Sequence, residues 1–465
     1  MKIAMMFGKG LDGCGVQRGG VEMQKWAIKH DHKFDVYSLI ERKFHRAKGH
    51  VWVNEPIEFE PSQMQDIANR LNNDYDIVIY NSYPSFKHKH ATVNAFYKDL
   101  VCRITKPIVV CFMHEIKQMN IDCIPLIIPI LNRADLIFNF SCETWFSKTI
   151  SKILPSKTLN GRTLRFSLWA DIDSFSHYRK QYPLASKAKR LTYAGRFSVS
   201  KDPMRMLRIY PVLRALDPSF EVVAHGIEKS IGALVLIKDP AVMYSDKCKQ
   251  PISYYSKLPI FGPYNHDVGM KLIGESLFAG SFFRLPDQPW NYGNRMEYTQ
   301  IEMIGVGSIP VFDLHYGQHN IDENGKRYVD NDFLAIWSDY NNLRNTAEQL
   351  ICVANSPKLQ KKFREAGLEF IKQEFDSEHV LDKLFNQITK LGKDPNKYCD
   401  DRQLISTLFN PDAYIAYEKL FDKGISPSVG FKQTETKTLS KMVGKARVPI
   451  EYGPQHANLM SFLGS

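Results

Sequence analysis

The sequence predicts an α/β protein made of two doubly wound, Rossmann-like parallel-sheet domains in tandem, facing each other across a cleft. Three observations carry this. Short, nearly continuous apolar runs alternate with amphipathic stretches as far as Phe140. Such runs suit strands covered on both faces, and strand–helix alternation suits a doubly wound sheet. The alternation starts again after a polar connection around Ser174–Lys189. Finally, 465 residues with 44% hydrophobic and 24% charged content describe a globular chain of two or three domains. That composition excludes collagen-like, coiled-coil and low-complexity classes.

In the first half, strands are expected at Lys2–Met6, Phe34–Leu39, Asp76–Tyr80, Pro107–Phe112 and Asp135–Phe140. Helices are expected near Val21–Lys29, Pro61–Asn72 and Thr92–Cys102. In the second half, strands are expected at Arg190–Ala194, Phe220–His225 and Ser308–Asp313. Its helices fall near Pro203–Leu216, Val268–Phe278, Met296–Gly305, Leu343–Ala354 and Pro357–Lys372. The domains are therefore 1–172 and 173–391, with the last helix returning to the first domain, followed by a basic extension at 392–465. Asn410–Asp422 is one more helical pattern, and Lys432, Lys437, Lys441, Lys445 and Arg447 make the tail basic. A solvated tail and a nucleic-acid arm fit that tail equally.

The 61 Lys+Arg exceed the 50 Asp+Glu, a formal charge of +11 that favours anionic partners. The most apolar stretch, Cys123–Leu131, contains Pro125 and Pro129 and falls short of a membrane span. The amino terminus lacks the long apolar core of a signal peptide. The 8 Cys form no CxxC pair, so a cytosolic protein without zinc or a disulfide framework is expected.

Gly8, Gly10 and Gly13 form a G-x-G-x-x-G loop after the first strand, and Glu41 closes the next strand. This fits a dinucleotide fingerprint, and equally any phosphate or sugar brought close to backbone N–H groups. Gly195-Arg196 ends a strand, with Lys201 soon after. Two cations there suit a nucleotide diphosphate without a metal. Glu297-Tyr-Thr-Gln-Ile-Glu302 precedes Gly305, Gly307 and an apolar strand. Tyr298 and Glu302 share a helix face, and a carboxylate there can accept both ribose hydroxyls. Together these elements have the layout of a nucleotide-sugar transferase of the two-Rossmann, or GT-B, type.

The segments GLDGCGV, GVEMQKW, MHE, AGR with Lys201, GIEKS and EYTQIEMIGVGSIPVF resemble those of the T-even phage DNA α-glucosyltransferase family. Their order and spacing hold from Met1 to about Leu391. The resemblance implies retaining transfer of glucose from a UDP-sugar to 5-hydroxymethylcytosine in double-stranded phage DNA. It implies that Arg196 and Lys201 hold the diphosphate, and that Glu302 holds the ribose beside Tyr298 and Thr299. Gly15 and Val16 would let the donor approach, while His114, Glu115 and Glu22 would serve catalysis. Glu115 stands where the family has an aspartate, and the extra methylene moves the carboxylate by ~1 Å. The donor is UDP-glucose by default, with UDP-arabinose, or an already glycosylated base as acceptor, as alternatives. A monomer in the cytoplasm of the infected host, with no metal and no membrane partner, is expected.

Arg42, Lys43, Arg46 and Lys48 follow the second strand, and Lys87 and Lys89 the third. Loops at that edge suit DNA phosphate contacts, and Phe44, Trp52, Tyr83 and Phe86 could support an extruded base. An envelope-glycan transferase, a DNA-binding protein without catalysis and a nicotinamide enzyme are the readings from other classes. Asp171-Ile-Asp173 resembles a metal motif but falls in the interdomain connection. His315 and His319 are separated by Tyr-Gly, which predicts a loop rather than a ligand pair.

Overall fold

The computed structural model describes residues 1–7, 15–39, 52–81, 99–113, 130–131, 133–140, 161–196, 204–227, 260–261, 266–282, 296–322, 324–339 and 341–394. The chain divides into two compact units. Of the described residues, those up to Asp171 and from Phe375 to Asp394 belong to one unit, and those from Ile172 to Glu374 belong to the other.

The first unit runs β1 (Lys2–Phe7), α1 (Gly15–Lys29), β2 (Lys33–Leu39), β3 (Ile57–Phe59), α2 (Met64–Asp74), β4 (Ile77–Tyr80), β5 (Ile108–Met113), β6 (Leu136–Asn139) and β7 (Thr163–Arg165). Its sheet has the order β3-β2-β1-β4-β5-β6-β7, and each pairing is parallel. The winding reverses at β1, so the switch point lies between β1 and β4. Ligands of such sheets bind beyond the carboxyl ends of the strands at that point. Alternate residues of β1 feed two cores. Ile3, Met5 and Phe7 meet Val21 and Trp26 of α1 on one face, while Ala4 and Met6 meet Ile67 and Leu71 of α2 on the other. A strand buried on both faces must read as a continuous apolar run.

Within this unit α1 lies close to the sheet because Gly20 has no side chain. A Cβ there would sit 2.8 Å from both the Phe7 and the Trp52 rings. Trp52 packs edge-on against Phe7 with ring centroids 5.4 Å apart and is buried. That corrects its reading as a support for an extruded base: it is a core residue.

The second unit contains α3 (Ser176–Gln181), β8 (Ala188–Arg196), α4 (Met204–Leu216), β9 (Glu221–Ile227), β10 (Ile260–Phe261), α5 (His266–Glu275), β11 (Ser276–Ser281), α6 (Tyr298–Gly305), β12 (Ile309–Asp313), α7 (Leu314–His319), β13 (Ile336–Ser338), α8 (Leu343–Ala354) and α9 (Pro357–Phe375). Its sheet has the order β10-β9-β8-β11-β12-β13, again parallel, with the switch point between β8 and β11.

Two expectations need correction here. The Val268–Phe278 pattern is not one helix, because it changes at Ser276 into the fully buried strand β11. Ser276 Oγ lies 2.6 Å from Thr192 Oγ1 of β8, and its register slips by a bulge. The stretch containing His315 is helical, not a loop. Asp313 accepts from the backbone N–H of His315 at 2.8 Å and of Tyr316 at 3.4 Å, so a side-chain cap outweighs the internal glycine.

Lys187 precedes β8 at the amino edge of this sheet. Its ammonium donates to the Gly274 carbonyl at the end of α5 and, at 3.3 Å, to Ser308 Oγ. Burial, with the nearby Arg364, pushes this amine down to about 7.

The helix α10 (Ser377–Leu391) follows α9 in the chain and belongs to the first unit. Val380, Leu381, Leu384, Phe385 and Ile388 enter the core shared by β1 and α1. Trp26 stacks on Phe385 at 4.7 Å and donates to Asp382 Oδ1 at 3.2 Å. Lys29 and His30 both hold the Glu378 carboxylate. Burial draws that carboxyl upward, but the two hydrogen bonds keep it below its ordinary value. Arg162 donates to the Leu391 and Gly392 carbonyls at 3.1 and 2.9 Å, closing the last turn. The Asn410–Asp422 pattern and the basic tail lie outside the described residues.

Candidate functional site

In the second unit, three elements converge on the carboxyl edge of the sheet. β8 ends there at Arg196, whose backbone pairs with Ile227 of β9. α5 and α6 each start from that edge, because each returns the chain to the amino end of the next parallel strand. α5 packs against β8, β11 and α6, so it joins the strand that ends at Arg196 to the helix that carries Glu302.

The EYTQIE segment explains its own geometry. Glu297 is the N-cap of α6 and Gln300 completes a reciprocal capping box. Gln300 Oε1 accepts from the Glu297 N–H at 2.8 Å and from the Tyr316 hydroxyl at 3.1 Å. Two of the orphan N–H groups at the helix start are thereby satisfied. The other end is fixed by packing. A Cβ on Gly305 would lie 2.5 Å from the Phe175 ring, and Arg179 donates to the Gly305 carbonyl at 2.6 Å. Tyr298 is buried on the first turn, and Thr299 beside it is half-buried. The Glu302 side chain, one turn on, keeps 12% of its surface exposed. Its Oε1 lies 3.1 Å from His266 Nε2, and His266 is the first residue of α5.

His266 was missed from the sequence. No local pattern marks it, since its partner lies on another helix. Asp267, exposed beside it, sits 3.8 Å from His266 Nδ1.

In the first unit, Gly15 and Val16 are the first two residues of α1, at the carboxyl end of the switch-point strand β1. Glu22 lies further along the same helix and is 5% exposed. Its Oε1 is 3.5 Å from Arg18 Nε and 3.4 Å from Lys25 Nζ. The chain leaves β5 at Met113, so His114 and Glu115 follow a carboxyl strand end but lie outside the described residues. The same holds for Arg42, Lys43, Arg46 and Lys48 after β2, for Lys87 and Lys89 after β4, and for Lys201 and the Gly8–Gly13 loop. Of Arg196 only the backbone is described.

The structure thus gathers Tyr298, Thr299 and Glu302 on one helix, with Arg196 ending a strand at the same edge. Glu22 with Gly15 and Val16 forms a separate group on α1. Among the described residues, no three His, Cys, Asp or Glu side chains gather as a metal site. No helix among them is long and apolar enough to cross a membrane.

Comparison with known proteins extends this geometry. The DNA alpha-glucosyltransferase of Enterobacteria phage T4 is 28% identical over 419 residues, covering 84% of this chain and 100% of that protein. A solved alpha-glucosyltransferase in complex with UDP superposes with a TM-score of 0.67 at 22% identity, covering 84% of this chain and 100% of that one. A more distant neighbour, HepE of Anabaena in complex with UDP-glucose, has a TM-score of 0.54 at 12% identity, with 84% and 100% covered. The family model for DNA alpha-glucosyltransferase matches residues 14–356, which takes in α1 and every strand of the second sheet. With the two parallel doubly wound sheets and the capped Glu302 helix, this places the chain in the DNA alpha-glucosyltransferase family, as a DNA glycosyltransferase of the GT-B fold.

Proposed function

We propose that this enzyme transfers a sugar from a UDP-sugar to the hydroxyl of 5-hydroxymethylcytosine in duplex DNA, with retention at the anomeric carbon. The observation that carries the reading is the Glu302 helix. Its carboxylate sits one turn from a capped helix start, at the carboxyl edge of the sheet where β8 ends at Arg196. A ribose needs a buried carboxylate and a diphosphate needs cations, both at a switch point. The T4 relative is a DNA alpha-glucosyltransferase, and related solved structures hold UDP, or UDP-glucose with DNA containing an abasic site.

In this reading Glu302 accepts the ribose hydroxyls, with Tyr298 and Thr299 beside it. Arg196 and Lys201 stabilise the diphosphate as it leaves. Gly15 and Val16 let the donor approach the backbone of the first domain. The acceptor oxygen bonds to the anomeric carbon while the bond from that carbon to the β-phosphate oxygen breaks. The acceptor proton passes to the departing phosphate, so no base on the opposite face is required. His114, Glu115 and Glu22 orient hydroxyls and offset positive charge on the sugar. Arg42, Lys43, Arg46, Lys48, Lys87 and Lys89 steer the DNA backbone. Glucose is the default sugar, and the enzyme acts as a monomer in the host cytoplasm.

Nucleoside mass spectrometry tests this. Duplex DNA containing 5-hydroxymethylcytosine is incubated with the enzyme and either UDP-glucose or UDP-arabinose. A hexose gain on the modified cytosine is the expected result. A pentose gain replaces glucose by arabinose, and no gain from either donor overturns the acceptor assignment.

A further inference from the structure

We propose that His266 is a positioning residue for the donor nucleotide, holding the Glu302 carboxylate in the orientation that accepts the ribose hydroxyls. The proposal rests on the reading of Glu302 as the ribose acceptor and adds to it the residue that directs that side chain.

The backbone of Glu302 is already fixed. Its helix is capped at Glu297 and Gln300, and pressed at Gly305 against Phe175. The side chain is a different matter. A glutamate has three rotatable bonds, and a carboxylate turned away from the ligand must be reordered on binding. His266 restrains it from a second helix. The Nε2–Oε1 separation is 3.1 Å, and the two side chains keep only 20% and 12% of their surface exposed. Hydrogen bonding at such low exposure is stronger than in open water. A carboxylate has about four acceptor sites, so accepting from His266 is compatible with accepting ribose hydroxyls as well.

The placement of His266 is itself constrained. It opens α5, the helix that packs against β8, β11 and α6. The far end of α5 is tied down where Lys187 donates to the Gly274 carbonyl. A Cβ on Gly274 would lie 2.6 Å from the Tyr182 ring, so α5 also sits tightly against its neighbour. The histidine thus projects from a rigid support onto a carboxylate whose own helix is rigid. Preorganisation of this kind is what separates a positioned acceptor from a merely nearby one.

The test uses titration calorimetry on the full chain with two nucleotides, UDP and 2′,3′-dideoxyuridine diphosphate. His266→Leu removes the donor at similar bulk, and His266→Gln retains an N–H in a similar place. UDP should bind His266→Leu about tenfold more weakly, as for one lost charge-assisted hydrogen bond. The dideoxy nucleotide should bind it as it binds the wild type. His266→Gln should recover most of the UDP affinity, and His266→Leu should add no loss to Glu302→Gln. Equal weakening of both nucleotides would mean a structural clamp only, and an unchanged UDP affinity would remove the role outright. Should the leucine variant fail to fold, His266→Gln binding UDP normally and the dideoxy nucleotide more weakly would also overturn it. If instead Glu302→Gln leaves UDP affinity unchanged, the ribose assignment itself fails, whatever His266 does.

Discussion

Two carboxylates of low exposure, one in each half of the molecule, are held in different ways. Glu22 in α1 is met by Arg18 and Lys25 of its own helix, one turn before and one after. Glu302 in α6 is met by His266 from another helix. In the first case the partners are two permanent cations, and the spacing lies within a single helix face. In the second an imidazole is brought in by the packing of α5 on α6. The charge of a carboxylate between two cations is balanced in part by its own helix. One that accepts from an imidazole can accept from hydroxyl donors as well. The contrast suits the proposed ribose-accepting role of Glu302 and the proposed catalytic role of Glu22.

The largest test of this contrast is the pair of isosteric changes. Glu302→Gln should lower kcat/KM for the UDP-sugar about 100-fold, mostly through weaker nucleotide binding. Glu22→Gln should leave UDP affinity near that of the wild type and lower kcat about tenfold. Steady-state kinetics beside calorimetry would separate the two, and equal effects on UDP affinity would erase the distinction.

Next come the supports of the two helices. Gly20→Ala and Gly305→Ala each drive a methyl into an aromatic ring, at Phe7 and Trp52 or at Phe175. Overpacking of this kind costs about 1–3 kcal/mol in denaturant unfolding. Gly305→Ala should also weaken UDP binding, because it displaces the helix that carries Glu302, whereas Gly20→Ala should not.

The smallest effect on nucleotide binding is expected from a change at the opposite edge of the second sheet, where pH acts on stability instead. Lys187 is held near 7 in the fold, against an ordinary 10.5. Between those values the unfolded chain binds more protons than the folded one, so stability from this site rises with pH across that window and is lowest below it. Lys187→Met should therefore lose ground to the wild type as the pH of a thermal melt is raised from 7 towards 10.5, at constant UDP affinity.

The same contrast separates what the sequence discloses from what it hides. β1 was legible because a strand buried on both faces must be continuously apolar. The Glu297–Glu302 segment was legible because a helix face keeps a fixed spacing. β11 was misread because Val268–Phe278 stays apolar straight through the helix-to-strand change, and period alone cannot place that boundary. β13, three residues long, offers too little pattern to detect. Trp52 looked like a loop aromatic until Gly20 made room for it in the core. His266 was hidden most completely, since its meaning lies wholly in a contact between two helices.

The route of the chain through α10 bears on how the enzyme is made. β1 and α1 of the first domain are translated before the second domain, yet Val380, Leu381, Leu384, Phe385 and Ile388 of the same core are translated after all of its described residues. At about 5–20 residues per second, the β1–α1 face waits tens of seconds for the helix that covers it. During synthesis the second domain, whose described strands are complete well before α10 emerges, can close first. The amino-terminal half is then the last to become native, and a nascent chain stalled before Ser377 leaves that face uncovered for chaperones to hold.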